Sequence, residues 1–389
     1  MKRGEPRCLA ALISILFVLF TSSALLGQST SVQPWGPGYV YEPRARLAPA
    51  WGARAYTNEQ LAYHPRDFGQ CEIDHARRMV YCGVKSGSVV ALSVGKGNIA
   101  WEFKTHGAVR AKPLLTDQGL FVGSSDGCLY RLDPVKGNPT WEKPYCTDAA
   151  VYGDPVERDG VVYFAVSINK LYAIDAASGE FKWEYHVARP QYMSSEGIAS
   201  PTVHGSHVYI GFSDGTLAAV DLLTGKPAWS MDLSMGSRKK ATDTDTTPVI
   251  DGDVLYAASF VKGPVALRLK DHRQLWRGTW FGATRPALTA SMAVIGTADG
   301  EVVGLRRKDG KVLFVTRLSD TAAYPPLVVR GILIVAGDKG LYTMALEDGA
   351  PIERLAFPMG TRNAPAVWGN RLFFVGGGGL INAIDIKFR

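Results

Sequence analysis

A chain of 389 residues in which 46% are hydrophobic and only 20% charged can bury a sizeable core, which excludes a disordered polypeptide. The formal net charge of +7 is spread along the chain, with Arg238-Lys239-Lys240 its densest cluster. No continuous basic stripe interleaved with aromatics marks a nucleic-acid surface. The first segment, MKRGEPRC followed by Leu9 to Phe20, has the basic start and short apolar run of a signal peptide. Ser22-Ser23-Ala24 satisfies the small-x-small cleavage pattern, so residues 1–24 are expected to be removed on export. That loss takes Lys2, Arg3 and Arg7 against Glu5 and lowers the positive excess by two. Residues 25–47, rich in proline and glycine, read as an extended arm that Trp35, Tyr39 and Tyr41 dock on the protein itself.

From residue 48 to 389 the chain repeats. Its best-preserved copy is Ser200 to Trp229, in which Val208-Tyr209-Ile210 and Thr216 to Val220 have strand chemistry. They are separated by Ser213-Asp214-Gly215, and Leu223-Thr224-Gly225-Lys226 precedes a further run. These are turn sequences, since Asp bonds nearby amides and Gly supplies positive φ. The glycine ahead of the first turn recurs as Gly83, Gly123, Gly211, Gly296, Gly337 and Gly376, with Ala165 and Ala258 in the same slot. A proline leads each copy (Pro113, Pro155, Pro201, Pro248, Pro286, Pro326, Pro365), and an aromatic closes it (Trp101, Trp141, Trp183, Trp229, Trp276, then Phe314).

Periods of about 40 residues with four strands each indicate propeller blades. The last copy stops before its aromatic strand, and the missing piece appears at the other end as Ala48-Pro49-Ala50-Trp51. The sequence therefore predicts an all-β, eight-bladed β-propeller of four-stranded antiparallel blades, closed by N- and C-terminal strands sharing one blade.

Four cysteines follow the leader. Cys71 and Cys82 flank the turn Asp74 to Arg78, and Cys128 and Cys146 flank the connection Asp133 to Thr140. Each pair can face across adjacent strands, so two disulfides are expected in an exported protein. Metal ligation is the weaker reading, because there is no Cys-x-x-Cys and no histidine in pattern.

Several motifs mimic chemistry. Gly123 to Gly127 and Gly211 to Gly215 both satisfy Gly-x-Ser-x-Gly, but a hydrolase elbow needs a following helix, and here a strand follows. His204 and His207 sit in a turn without a third ligand, and Gly376 to Gly379 opens no helix for a phosphate.

The pattern Gly-x-Val-Tyr-Val-Gly-x-x-Asp-Gly-x-Leu-x-Ala-Leu-Asp-x-x-x-Gly-x-x-x-Trp resembles the quinoprotein-type (PQQ-like) propeller repeat. The resemblance implies that the tryptophans pack between neighbouring blades. Quinoprotein dehydrogenases, by that resemblance, hold a quinone and calcium on the ring axis under a disulfide of adjacent cysteines. This chain has no Cys-Cys pair and no long insertions for a substrate chamber. No catalytic residue, cofactor or metal is expected; a quinone- or other ligand-binding propeller is the alternative.

Two connections, Trp183 to Pro201 and Trp229 to Pro248, are longer than the others, and scaffolds keep function in such loops. The second holds Asp243-Thr244-Asp245-Thr246-Thr247-Pro248, which is similar to a stretch of the BamB family of outer-membrane assembly factors. That resemblance implies a surface for the periplasmic repeats of an outer-membrane β-barrel insertase. Asp243 and Asp245 would order the loop or pair with partner cations, with turn capping or a calcium site, which would lack its later glutamate, as the other readings. Tyr192, Met193 and Ile198 would supply an apolar contact, and Arg238 a basic rim. Two departures stand out. Gln28 follows Leu25-Leu26-Gly27 where the family has a lipid-bearing cysteine, and Glu196 stands where an arginine would. The expectation is a non-catalytic, monomeric periplasmic scaffold that binds a protein partner, contacts the outer membrane only indirectly and binds no nucleic acid.

Overall fold

The computed structural model describes residues 45–55, 67–188, 199–236, 243–244, 246–357 and 360–388. The signal segment and almost all of the arm, with Trp35, Tyr39 and Tyr41, lie outside these residues. The described residues form eight four-stranded antiparallel sheets. Blade 4 shows the plan: Thr202–His204, His207–Gly211, Thr216–Asp221 and Pro227–Asp232 pair in sequence order. Each leading proline sits directly before a first strand, where its missing N–H costs the ladder nothing. First strands of neighbouring blades approach one another, as do Cys71–Asp74 and Ala366–Trp368 across the closure, so the first strand is innermost.

The outermost strand of blade 8 comes from the other end of the chain. Ala45–Arg54 pairs antiparallel with Leu380–Phe388, placing Pro49 opposite Ile384 and Trp51 opposite Ala383. The strand begins at Ala45, so it also takes in Ala45 to Leu47 from the segment read as an arm. Between Gly376 and Leu380 the glycine run makes one 3-10 turn, Gly377–Gly379.

The core is divided among the gaps between blades. Among the described residues eight buried apolar clusters are present, and each joins one blade to the next. The set includes Val80, Val90 and Leu92 of blade 1 against Phe373, Val375 and Ile381 of blade 8. A four-stranded blade alone leaves two apolar faces wet; at about 25 cal/mol per Å2 of buried apolar area, only stacking all the way round removes that penalty. Ring closure is therefore demanded by burial.

A repeated seam fixes the spacing. A β-bulge between the third and fourth strands, such as Ala219/Val220, falls beside the closing aromatic and turns it toward the next blade. Trp101, Trp141, Trp183 and Trp276 each donate Nε1 to a carbonyl in the next blade's turn: Pro134, Ala177, Leu222 and Arg307, at 2.7–3.1 Å. Trp51 does the same across the closure, to Val94 at 3.0 Å. The glycine of that turn lies flat under the indole; a Cβ on Gly225 would come within 2.7 Å of the Trp183 ring, and its φ is +68°. Phe314 keeps the packing without the hydrogen bond, against Gly349.

Both expected disulfides form: Cys71–Cys82 between the inner strands of blade 1, and Cys128–Cys146 at the outer edge of blade 2.

Candidate partner-binding face

Antiparallel order alternates the connections. The links between blades and the hairpins joining second to third strands lie on one face; the remaining turns lie on the other. The two long connections therefore emerge on the same face, from blade 3 to blade 4 and from blade 4 to blade 5.

The second of these begins with a capped turn. The Asp232 carboxylate accepts Ser234 N at 2.7 Å, Ser234 Oγ at 2.6 Å and Gly236 N at 2.8 Å. Burial pushes the Asp232 pKa up, but these bonds outweigh it and leave the group below its ordinary value. Leu233 is fully buried, whereas Met235, at φ +55°, is 66% exposed.

The far end is held inside the ring. Asp243 and Thr244 are both fully buried. Thr244 N donates to Phe212 O at 2.9 Å, Thr244 Oγ1 to Gly215 O at 3.0 Å, and Phe260 N to Asp243 O at 2.7 Å. The segment is thus wedged between the hairpins of blades 4 and 5. Gly211 makes room for it, since a Cβ there would stand 2.1 Å from Thr244 O. Thr246 Oγ1 and the backbone of Ala258 then exchange bonds at 2.8 and 2.9 Å.

Of the residues singled out from sequence, Asp243 is therefore an internal anchor in this arrangement, and its carboxylate is not displayed to a partner. Asp245, Tyr192, Met193, Ile198 and Arg238 lie outside the described residues. Sequence reasoning missed Phe281, which is 43% exposed and meets Phe260 edge-on at 4.5 Å, on the same face as Met235. Their signal was available: large apolar side chains in connections, outside any strand alternation.

The seam between the same two blades departs from the rest at its other end, on the opposite face. Where other blades place glycine under the tryptophan, blade 5 has His272 at φ +55°, and the Trp229 ring meets the imidazole tilted, with centroids 4.6 Å apart. Among the described residues Trp229 Nε1 makes no hydrogen bond of the kind its counterparts make.

Eight four-stranded blades with indole seams define a β-propeller of the quinoprotein-type repeat. The sequence profile described as outer membrane protein assembly factor BamB matches residues 85–316. The chain belongs to that family. It is 27% identical over 320 residues to the outer membrane protein assembly factor BamB of Xanthomonas campestris, covering 69% of this chain and 77% of the relative. It is 24% identical to that of Yersinia pestis, over 68% of each chain. The crystal structure of BamB from Moraxella catarrhalis superposes with a TM-score of 0.74 at 22% identity, over 87% of this chain and all of that one, which bears on fold alone.

Proposed function

We propose that this protein is a non-catalytic periplasmic scaffold in outer-membrane β-barrel protein assembly, binding a protein partner through the face that carries the two long connections. The observation that carries the reading is the family match across 232 consecutive residues, 85–316, which includes both long connections. The site chemistry agrees with it. This face presents Met235 and Phe281 to solvent, and exposed apolar anchors suit protein docking.

Asp243 contributes from within. By fastening its segment between two blades it fixes where the preceding connection, which carries Arg238, rejoins the ring, while Tyr192, Met193 and Ile198 are assigned to the neighbouring connection on the same face. Asp245 is assigned to the rim of the same surface. Residues 1–24 direct export and 25–44 form the arm, and the propeller reaches the outer membrane only through its partner.

Affinity purification of the tagged chain from the native envelope tests this. Recovery of a β-barrel insertase is expected, and paired Tyr192→Ser and Met193→Ser substitutions should reduce it at least tenfold with melting unchanged. Recovery of no outer-membrane assembly component, or undiminished recovery by the double variant, would overturn the reading or its placement.

A further inference from the structure

The same face carries a second concentration of chemistry, on the ring axis, that the long connections do not explain. The segments leading into the innermost strands meet there and are laced together. Asn363 Nδ2 of blade 8 donates to Phe68 O of the segment entering blade 1, at 2.6 Å. Gln70 Nε2 donates to Arg110 O at 3.3 Å and to the Asp154 carboxylate at 2.9 Å, and Lys112 N donates to the same carboxylate at 2.8 Å. Asp154 N in turn donates to Ser200 Oγ at 2.8 Å, and Ser200 N to Thr247 Oγ1 at 3.2 Å. The rim of the axial opening is therefore a rigid polar belt from blade 8 round to blade 5.

On this belt two guanidiniums share one phenyl ring. Arg110 and Arg362 each lie with Cζ 5.0 Å from the centroid of Phe68, so the two charges stand within twice that distance of each other. Arg110 also covers Tyr152 at 4.8 Å, and Arg362 covers Tyr324 at 5.8 Å. Their neutralisation differs. Arg362 Nε faces Asp338 at 3.4 Å, and Lys112 pairs with Glu72. Arg110 has no carboxylate within ion-pair distance among the described residues, and its Nε is shielded from solvent without a hydrogen-bond acceptor. Asp154 is engaged instead by Gln70 Nε2 and Lys112 N, and lies beyond ion-pair distance of the Arg110 guanidinium. Holding a guanidinium among aromatic rings without a counter-ion is costly, and the planar fork is matched by a carboxylate.

We propose that the axial opening on this face is a carboxylate-binding site, centred on Arg110 and Arg362, that receives an acidic segment of a polypeptide. Arginine stacked on aromatic faces is the make-up of a polypeptide contact. The belt fixes the backbone that carries these side chains before any ligand arrives, and the rings of Phe68, Tyr152 and Tyr324 cover the guanidiniums. The site is separate from docking on the long connections and does not depend on it.

The test uses the full chain and a fluorescein-labelled deca-glutamate peptide, followed by fluorescence anisotropy at low salt. Binding is expected to the glutamate peptide and not to its glutamine counterpart. Arg110→Gln should weaken it at least tenfold, while Arg330→Gln, an exposed arginine on the opposite face, should leave it within twofold. Should Arg110→Gln fail to fold by circular dichroism, Arg110→Lys keeps the charge without the fork and is expected to bind several-fold more weakly. Equal binding of the glutamine peptide, unchanged affinity in the foldable Arg110 variant, or complete displacement by an equal concentration of inorganic phosphate would overturn the proposal. Because no assembly partner is present, the outcome is independent of the scaffold reading.

Discussion

The closure between blades 8 and 1 and the seam between blades 4 and 5 use the same repeat for opposite ends. At the closure, Trp51 donates to Val94 O, and the Arg371 guanidinium bridges Asp385 on its own blade to the Val94 and Gly95 carbonyls of blade 1, at 2.9 and 3.2 Å. Cys71–Cys82 lies in the apolar cluster that this junction encloses. At the 4/5 seam the indole hydrogen bond is replaced by a tilted ring contact with His272, while the connection joining the same two blades at their other end is one of the two longest. The ring is fastened hardest where its ends must meet. It departs from its own rule at the turn of blade 5 that carries His272, on the face opposite the long connections, where an exposed turn has latitude to vary.

The largest expected effect tests that contrast directly. Trp51→Ala removes ring packing and a hydrogen bond from the N-terminal strand that completes blade 8, and should cost about 3 kcal/mol. Trp229→Ala should cost about half as much, read as paired shifts in urea midpoint. Equal losses would break the contrast.

The two disulfides sharpen it next. The outer strand of blade 2, Tyr145–Cys146, has only two residues where most blades have six, so Cys128–Cys146 does the fastening that a ladder does elsewhere. Replacing both cysteines with serine should cost about 2 kcal/mol. Cys146 is exposed, whereas Cys71 and Cys82 are buried, so mild reductant should open the blade 2 bridge first. Mass-spectrometric alkylation reports the order, and simultaneous opening would contradict it.

A smaller effect follows from pH. The hydrogen bond from Arg371 holds the Asp385 pKa below its ordinary value. A depressed carboxylate stabilises the folded state above the ordinary carboxylate range and loses that contribution as pH falls through its lowered pKa. The pair is partly exposed, so the loss is about 1 kcal/mol or less. Acid titration of stability in the parent and in Arg371→Leu should converge toward low pH; parallel curves would remove Arg371 from the closure.

The smallest effect restores the rule at the exceptional seam. His272→Gly removes a side chain from a left-handed backbone position and should stabilise by about 0.5 kcal/mol. A loss would mean that the ring contact with Trp229 outweighs the backbone strain.

Most of the fold was legible because a propeller repeats one local solution. The proline, the Gly or Ala slot and the closing aromatic each mark a physical necessity: a first strand, a close approach to the incoming segment, a seam. Even Trp51 could be matched to the unfinished last blade. The cysteine pairing was legible too, since each pair is symmetric about its turn. The candidate site was less so. Asp243 has the polarity of a surface residue, and only the hairpins of blades 4 and 5 closing over it bury it. The basic axial rim gathers residues as distant as Phe68, Arg110 and Arg362, which no spacing rule connects. Met235 and Phe281 were ordinary hydrophobes until the topology put them on one face.

The most direct test of the central claim is site-specific photo-crosslinking in the native envelope, with the probe moved around the ring. Probes at Tyr192, Met235 and Phe281 should capture one outer-membrane assembly component, and probes at Arg330 and Gly369, on the opposite face, should not. Capture concentrated at Arg330 and Gly369, or equal at all five positions, would contradict the assignment of that face to partner binding.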